Sequence, residues 1–474
     1  KDEFYAYGIC TELISDCSGA GLIRVASLEQ VEELGDLTVN EKANKLDVRY
    51  IATGTLWRMD DMFQLSIELY DSKESEVIWS DNWQESWENL TTIKDNLSDG
   101  LLKALDTTSK LEKKVETTNT EAYEFYLKAK YKYEKREDIE DTEIARGLLQ
   151  KAIELDTSLI AAKIILGTTF HETGDYDKAM DIFTSALKQA ENCADMSSIA
   201  NSLFNIGHAY FHKHNYDKAI DYHIRSLKIR EGFSDMHGIG GSLNSIGLIY
   251  SRKGDEKKAL DYLTRSFKIA EELNDKNGMI ANLNNIGNHY YDKADYDKAI
   301  DYHIRSLKIR EELNYKSHIG ESYNYIGNIY SDKGDYEQGL IYHKRSLKIR
   351  EELGEKHNLA CTLNNMGCGY FAIGDNGIAL NCFTRSLYLH EQIGDKLYLA
   401  PPLCNIGDIY SNKGDDSAAI EYYERAISIL KEVGLQRDDL MLVAITSLYL
   451  SYKKVDRDYN KKTIFTLLEK TKNI

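Results

Sequence analysis

Histidine and cysteine are the residue types in this chain best suited to holding a metal or running redox chemistry. Two sets stand out, His223, His303 and His343, and Cys361, Cys368 and Cys404. The three histidines occupy the same place in separate stretches of sequence, too far apart to share one ion, so they read as packing residues. The three cysteines have no histidine or acid at a matching spacing, and they read as small packing groups. No metal and no cofactor are expected, and the zinc content of the purified chain tests this. A phosphate loop, HExxH, GxSxG and a CxxC pair are all absent from the sequence. Gly238-Ile239-Gly240 does not lie between a strand and a helix, and Gly19 and Gly21 follow a helix, the reverse of the dinucleotide arrangement. The expected class is a non-enzyme.

The elements behind these residues repeat every 40 positions, marked by Gly207, Gly247, Gly287, Gly327, Gly367 and Gly407. Asp217–Glu231 and Asp297–Glu311 are the same fifteen residues, DKAIDYHIRSLKIRE. Fixed self-similarity of this length means stacked units, each unable to bury its apolar face alone. Each block reads as helix, turn, helix. Leu283, Ile286, Gly287 and Tyr290 are spaced for one helical face, Lys253-Gly254-Asp255 is a turn with a cap, and Ala299, Ile300, Tyr302, His303, Ser306, Leu307 and Ile309 lie on the second helix. Tyrosine and leucine are expected to fill the space between repeats. Arg225, Arg265, Arg305 and Arg425 each follow an acid by four residues (Asp221, Asp261, Asp301, Glu421), which predicts pairs on a solvated helix surface.

Gly167, Phe170, Ala179, Phe183 and Ala186, and again Gly407, Tyr410, Ala419, Tyr423 and Ala426, follow a small-large pattern that resembles the tetratricopeptide repeat family. The usual unit has about 34 residues; most units here are longer, similar to the form in kinesin light chains and peptide-gripping scaffolds. The resemblance implies a mainly α fold, a right-handed α-solenoid of about eight helix pairs over residues 119–440, with degenerate capping helices over 441–474. An irregular first unit begins near Glu121, with a long turn from Arg136 to Thr142. The family usually carries a packing aromatic where His223, His303 and His343 stand. Its ligand positions, three before and one after the repeat glycine on the inner helices, correspond here to Asn244, Asn284, Asn288, Asn324, Asn328, Asn364 and Asp408, alongside Leu248, Cys368 and Cys404. Asn285, Asn365 and Asn405 extend the row, and Arg252 and Asp332 would add charge selectivity. Asparagine offers both donor and acceptor to the main chain of an extended peptide. The alternative is that these amides are solvated or bond between neighbouring repeats.

Residues 1–110 differ in kind, with 22 acidic and 10 basic residues, a net charge of −12 out of −18. The pattern predicts a helix over Glu3–Cys17, a strand over Leu22–Ala26, a helix over Val39–Leu46, strands over Arg49–Trp57, Phe63–Tyr70 and Val77–Trp83, and a closing helix over Leu90–Leu105. Asp60-Asp61 and Asp71–Ser75 read as turns. Gly8, VRYIATGTL and IWSDNW resemble the TolB amino-terminal-like domain, which implies a small N-terminal α/β domain lacking its first strand. The same resemblance implies a place beside a catalytic or DNA-binding module in bacterial signalling proteins.

The chain has two prolines, Pro401 and Pro402, both where a helix tolerates them. Its seven cysteines show no disulfide-like spacing, which points to a reducing cytoplasm. No apolar run is long enough to span a bilayer. A pI near 5.2 disfavours nucleic acid. The reading is a non-catalytic scaffold or sensor that holds a protein or peptide partner in a concave groove. The alternative is the regulatory half of a class III adenylate or guanylate cyclase or a protein kinase, with the catalytic module upstream; a third reading is self-association.

Overall fold

A residue in the left-handed region, glycine at several turns and Ala194, His214, Ser234 or Ala294 at others, followed by an Asp or Asn cap, ends one helix and starts the next through much of the chain. Gly254 has φ of 77°, and Asp255 accepts the Lys258 N–H at 3.2 Å. The same side-chain cap recurs at Asp175, Asp195, Asn215, Asp235, Asp295, Asp335, Asp375 and Asp415. Each cap satisfies an N–H that a helix start leaves orphaned.

The computed structural model describes residues 3–19, 35, 37–46, 48–59, 62–86, 89–105, 117, 119–136, 138–434 and 439–455. Among them are twenty α-helices and one three-stranded antiparallel sheet. The predicted strand at Leu22–Ala26 and the turn at Asp60-Asp61 lie outside the described residues. Contacts divide the chain into two compact units, Lys1–Asn282 and Leu283–Ile474.

In the first unit, α1 (Glu3–Gly19) and α2 (Val39–Leu46) precede β1 (Tyr50–Met59), β2 (Met62–Asp71), β3 (Glu76–Ser86) and α3 (Leu90–Ala104). The strand order is β1-β2-β3, both pairings antiparallel, with a register shift at Leu69/Tyr70. Alternation in β2 buries Phe63, Leu65, Ile67 and Leu69, as the period-two pattern predicts. These side chains share a core with Tyr5, Ile9, Leu97 and Leu101, and that core continues into Tyr123, Leu127 and Leu149 of the first repeat. Burial at this depth stabilises by roughly 2 kcal/mol per large apolar side chain. Close approach requires Gly8, where a Cβ would stand 2.6 Å from Leu127 Cδ2.

The repeats of this unit are α4 (Thr120–Glu134) with α5 (Ile139–Leu155), α6 (Ile160–Glu172) with α7 (Tyr176–Cys193), α8 (Met196–His212) with α9 (Tyr216–Phe233), and α10 (Met236–Lys253) with α11 (Glu256–Glu272). The long turn expected over Arg136–Thr142 is shorter: α5 starts at Ile139 because Asp138 caps it through the Asp141 N–H at 3.0 Å. The unit division falls inside α12 (Lys276–Asp292).

The second unit continues with α13 (Tyr296–Glu312), then α14 (Lys316–Asp332) with α15 (Tyr336–Leu353), α16 (Lys356–Ala372) with α17 (Asn376–Ile393), and α18 (Ala400–Asn412) with α19 (Asp416–Glu432). A short 3-10 turn at Lys396–Tyr398 precedes α18, whose first turn holds the two prolines. Finally α20 (Asp439–Lys454) lays Met441, Ala444, Ile445 and Leu448 against Leu403, Tyr423 and Leu430.

Two devices built from the repeated motif tie the helices together. The second-helix serine donates to a first-helix carbonyl 26 residues earlier: Ser226 to Ala200 and Ser266 to Gly240 at 2.8 Å in one unit, Ser346 to Gly320 and Ser386 to Ala360 at 2.7 Å in the other. Tyrosines also stack inside five of the repeats rather than only between repeats, as in Tyr250 on Tyr262 at 5.7 Å and Tyr330 on Tyr342 at 5.4 Å. Of the expected surface pairs, Arg265 meets Asp261 at 3.8 Å, whereas Arg425 reaches back to Glu391 in the preceding repeat. Arg225 and Arg305 lie over the rings of Tyr222 and Tyr302.

Candidate binding face on the first helices

Every candidate residue sits on the first helix of a pair. In the first unit, Asn244 is half-buried on α10 and Arg252 is exposed near its end. One repeat earlier the two family positions hold Phe204 and His208. His208 packs edge-on against Phe204 at 4.6 Å and His223 at 5.0 Å, and its Nε2 lies 3.4 Å from Ser245 Oγ. Burial pushes His208 down to about 4, and His171 and His212 beside it reinforce the shift.

In the second unit the amides are half-buried and their carbonyl oxygens are engaged. Asn284 Oδ1 lies 3.3 Å from His303 Nδ1, and Asn324 Oδ1 lies 3.1 Å from His343 Nδ1. Because an amide oxygen only accepts, both imidazoles carry their proton on Nδ1. Further bonds run between successive first helices: Asn365 Nδ2 donates to Asn324 Oδ1 at 3.3 Å, Asn405 Nδ2 to Asn364 Oδ1 at 3.0 Å, and Tyr325 Oη to Asn288 Oδ1 at 2.7 Å. Tyr423 Oη donates to Asp408 at 2.6 Å, and Tyr291 Oη to Asp332 at 2.6 Å. Inter-repeat bonding of the amides is therefore real; it uses the oxygens of Asn288, Asn324 and Asn364 and the NH2 groups of Asn365 and Asn405. Among the described residues no acceptor meets Asn284 Nδ2, Asn324 Nδ2 or Asn364 Nδ2, and Asn328 has no hydrogen-bond partner.

Burial shifts the titratable groups beside this face. Burial pushes His303 and His343 down to about 4, so both rings are neutral near pH 7. It pushes the Cys368 thiol up to about 11 and Cys404 up to about 12, and it raises the Asp408 carboxyl. A thiol at those values is not a ready nucleophile.

His223, His303 and His343 are packing residues, as expected. A Cβ on Gly207 would stand 2.9 Å from the His223 ring, on Gly287 2.7 Å from His303 Nε2, and on Gly327 2.7 Å from His343. The repeat glycine exists to admit this ring. Sequence reading missed that the histidine orients the asparagine. The available signal was the recurring 19-residue spacing of Asn284 to His303 and Asn324 to His343; where Phe383 replaces the histidine, Asn364 turns to Asn405 instead. Cys361 also has a neighbour that the spacing argument overlooked, with His357 Nε2 3.8 Å from its sulfur.

Comparison with known proteins matches this geometry to a family. The model of the tetratricopeptide repeat matches residues 198–272, 278–352, 318–392 and 358–432, and a second model of the same description matches 164–197. No curated protein sequence matches the chain. Among solved structures, a signal transduction ATPase with numerous domains and a tetratricopeptide repeat sensor from Pyrococcus horikoshii is 16% identical, with a TM-score of 0.54 over 75% of this chain and 53% of that one. This chain thus spans about half the length of the Pyrococcus protein. The apo form of RapI is 15% identical with a TM-score of 0.49, over 71% of this chain and 98% of its own. A Rap protein complexed with competence and sporulation factor is 15% identical with a TM-score of 0.42, over 71% and 99%. Over residues 164–272 and 278–432 the chain belongs to the tetratricopeptide repeat family.

Proposed function

We propose that the chain is a non-catalytic scaffold or sensor that binds an extended segment of a protein partner along the first helices of its repeats, in the family's concave groove. In the second unit the contact row is Asn284, Asn288, Asn324, Asn328, Asn364 and Asp408, with Asp332 as a charged flank. Asn244 and Arg252 serve the same role in the first unit. The observation that carries this is the division of labour within Asn284, Asn324 and Asn364: the carbonyl is held by His303, His343, Asn365 or Asn405, while the NH2 of each half-buried side chain is left to meet an outside acceptor. A row of oriented donors at one point per repeat suits a peptide main chain, whose carbonyls recur regardless of sequence. Holding the amides in place beforehand lowers the ordering cost of binding.

The N-terminal sheet module, with its resemblance to the TolB amino-terminal-like domain, would couple peptide capture to a neighbouring module. The cytoplasm is the proposed setting: the six described cysteines are free, and no described helix is long and apolar enough to cross a membrane. A second reading, a regulatory segment of a larger signalling protein, takes support from the Pyrococcus protein, described as a signal transduction ATPase with a repeat sensor.

The test is peptide-library panning against the whole chain and against the triple variant Asn284→Asp, Asn324→Asp, Asn364→Asp. Aspartate keeps an accepting oxygen for the histidines and neighbouring amides, and it replaces the NH2 donor by a second, charged acceptor. Peptides enriched on the wild type should bind the variant at least about tenfold more weakly, the loss of one good hydrogen bond or more, with helix content unchanged. No enrichment, or equal binding, overturns the assignment.

A further inference from the structure

At one joint of the second unit, His390 breaks the repeat pattern beside His357 and Asp395, whose residue types recur at the same places in another repeat as His237 and Asp275. The place of residue 390 carries arginine in three other repeats, as Arg230, Arg310 and Arg350. One repeat earlier, Arg350 donates to Ser317 Oγ at 3.0 Å and pairs with Glu355, so a fixed cation sits between the start of α14 and the turn after α15. Forty residues on, the same three places hold His357, His390 and Asp395. A permanent cation has been exchanged for three ligands.

Their geometry is that of a coordination set. One donor atom from each lies within 4.8 Å of the other two, and His357 Nδ1 is 2.8 Å from Asp395 Oδ2. His390 is 2% exposed, and its Nδ1 has no hydrogen-bond partner. A buried imidazole nitrogen without a partner is costly unless something fills its lone pair. Tyr398 stacks on His390 with ring centroids 5.6 Å apart and meets His357 edge-on at 4.7 Å, walling one side. On the far side of the His357 ring, Nε2 faces Cys361 Sγ at 3.8 Å, the kind of outer partner that fixes the tautomer of a ligating histidine.

We propose that His357, His390 and Asp395 bind a divalent transition cation of the zinc class, with three protein ligands and an open fourth position. Tetrahedral zinc, with bonds of about 2.0 to 2.2 Å, separates neighbouring donors by roughly 3.4 Å. The 2.8 Å pair must therefore open slightly while His390 closes in. A plain ion pair does not account for the trio, because the first unit contains one without it. His237 and Asp275 stand 120 residues earlier at 3.7 Å, with Ala270 where His390 would be. Bound metal would join the start of α16, the end of α17 and the turn before α18, so zinc would stiffen this joint of the array.

The experiment uses the whole chain, stripped with a chelator and titrated with zinc alone in competition with a chromophoric chelator, with magnesium and calcium as controls. The expected result is one zinc per chain, no response to magnesium or calcium, and a melting temperature raised by zinc. The comparison variant is His357→Ser with His390→Arg, which rebuilds the arrangement found one repeat earlier and so is expected to fold. Zinc uptake should be abolished in it, because only Asp395 remains as a ligand and a guanidinium stands where His390 was, and its melting temperature should no longer respond. Asp395→Asn should weaken binding without abolishing helix content. Failure of the wild type to take up zinc, or equal uptake by the double variant, overturns the site.

Discussion

His223 in the first unit and His343 in the second occupy the same point of the same motif, yet they live differently. Both are nearly fully buried against a repeat glycine. His343 donates to Asn324, whereas His223 faces Phe204, where the asparagine would stand, and both its ring nitrogens lack partners. One repeat position therefore does two jobs. In the second unit it orients an amide on the proposed binding face, and in the first it is only a flat ring that fills a gap. What surrounds a motif residue, rather than the motif, sets its role.

The largest effect expected from disturbing this arrangement is steric. Gly287→Val places a branched side chain where even a Cβ meets His303 Nε2 at 2.7 Å. Overpacking should cost about 3 kcal/mol, read by urea unfolding. A loss below about 1 kcal/mol would mean that the joint can relax and that the glycine is not required by the ring.

Exchange of the ring itself separates the two units. His223→Phe removes two buried, unpartnered nitrogens and should stabilise by about 1 kcal/mol, while His343→Phe breaks a hydrogen bond and should destabilise by about 1 kcal/mol. Opposite signs are the expected outcome. If the two variants shift in the same direction, the partner asparagine does not distinguish these histidines.

Acid should act through the same residues. His208, His303 and His343 are held at about 4 by burial and His223 is also well below the ordinary histidine value, so the unfolded chain binds protons that the folded chain refuses. Their contribution is complete above about pH 6.5 and is lost as pH falls from there toward 4. His343→Phe should flatten the fall in melting temperature across that window. An unaltered slope would place the acid sensitivity elsewhere.

The smallest effect belongs to the surface. Lys333 reaches back to Asp297 at 2.5 Å, and the same 36-residue pairing joins Lys213 to Asp177 and Lys253 to Asp217. These pairs are exposed and screened by salt. Asp297→Asn should leave the melting temperature within error at physiological salt, and a drop of several degrees would show that the ladder sets the stacking.

The chain's own residues determined the repeat and much of its local geometry. Period 40, the Gly-Asp turns and the apolar spacing specify helix pairs because capping, positive φ and one-faced burial are short-range physics. The β2 alternation at Phe63, Leu65, Ile67 and Leu69 was legible for the same reason. The candidate amides were legible as a row, through the family resemblance, but not in their bonding. Only tertiary packing decided that Asn324 meets both His343 and Asn365, that Arg425 turns to Glu391 rather than Glu421, and that His357, His390 and Asp395 converge. Those contacts depend on how one helix pair seats against the next. A shift of one or two ångströms there exchanges hydrogen-bond partners, while leaving the apolar pattern that the sequence displays unchanged.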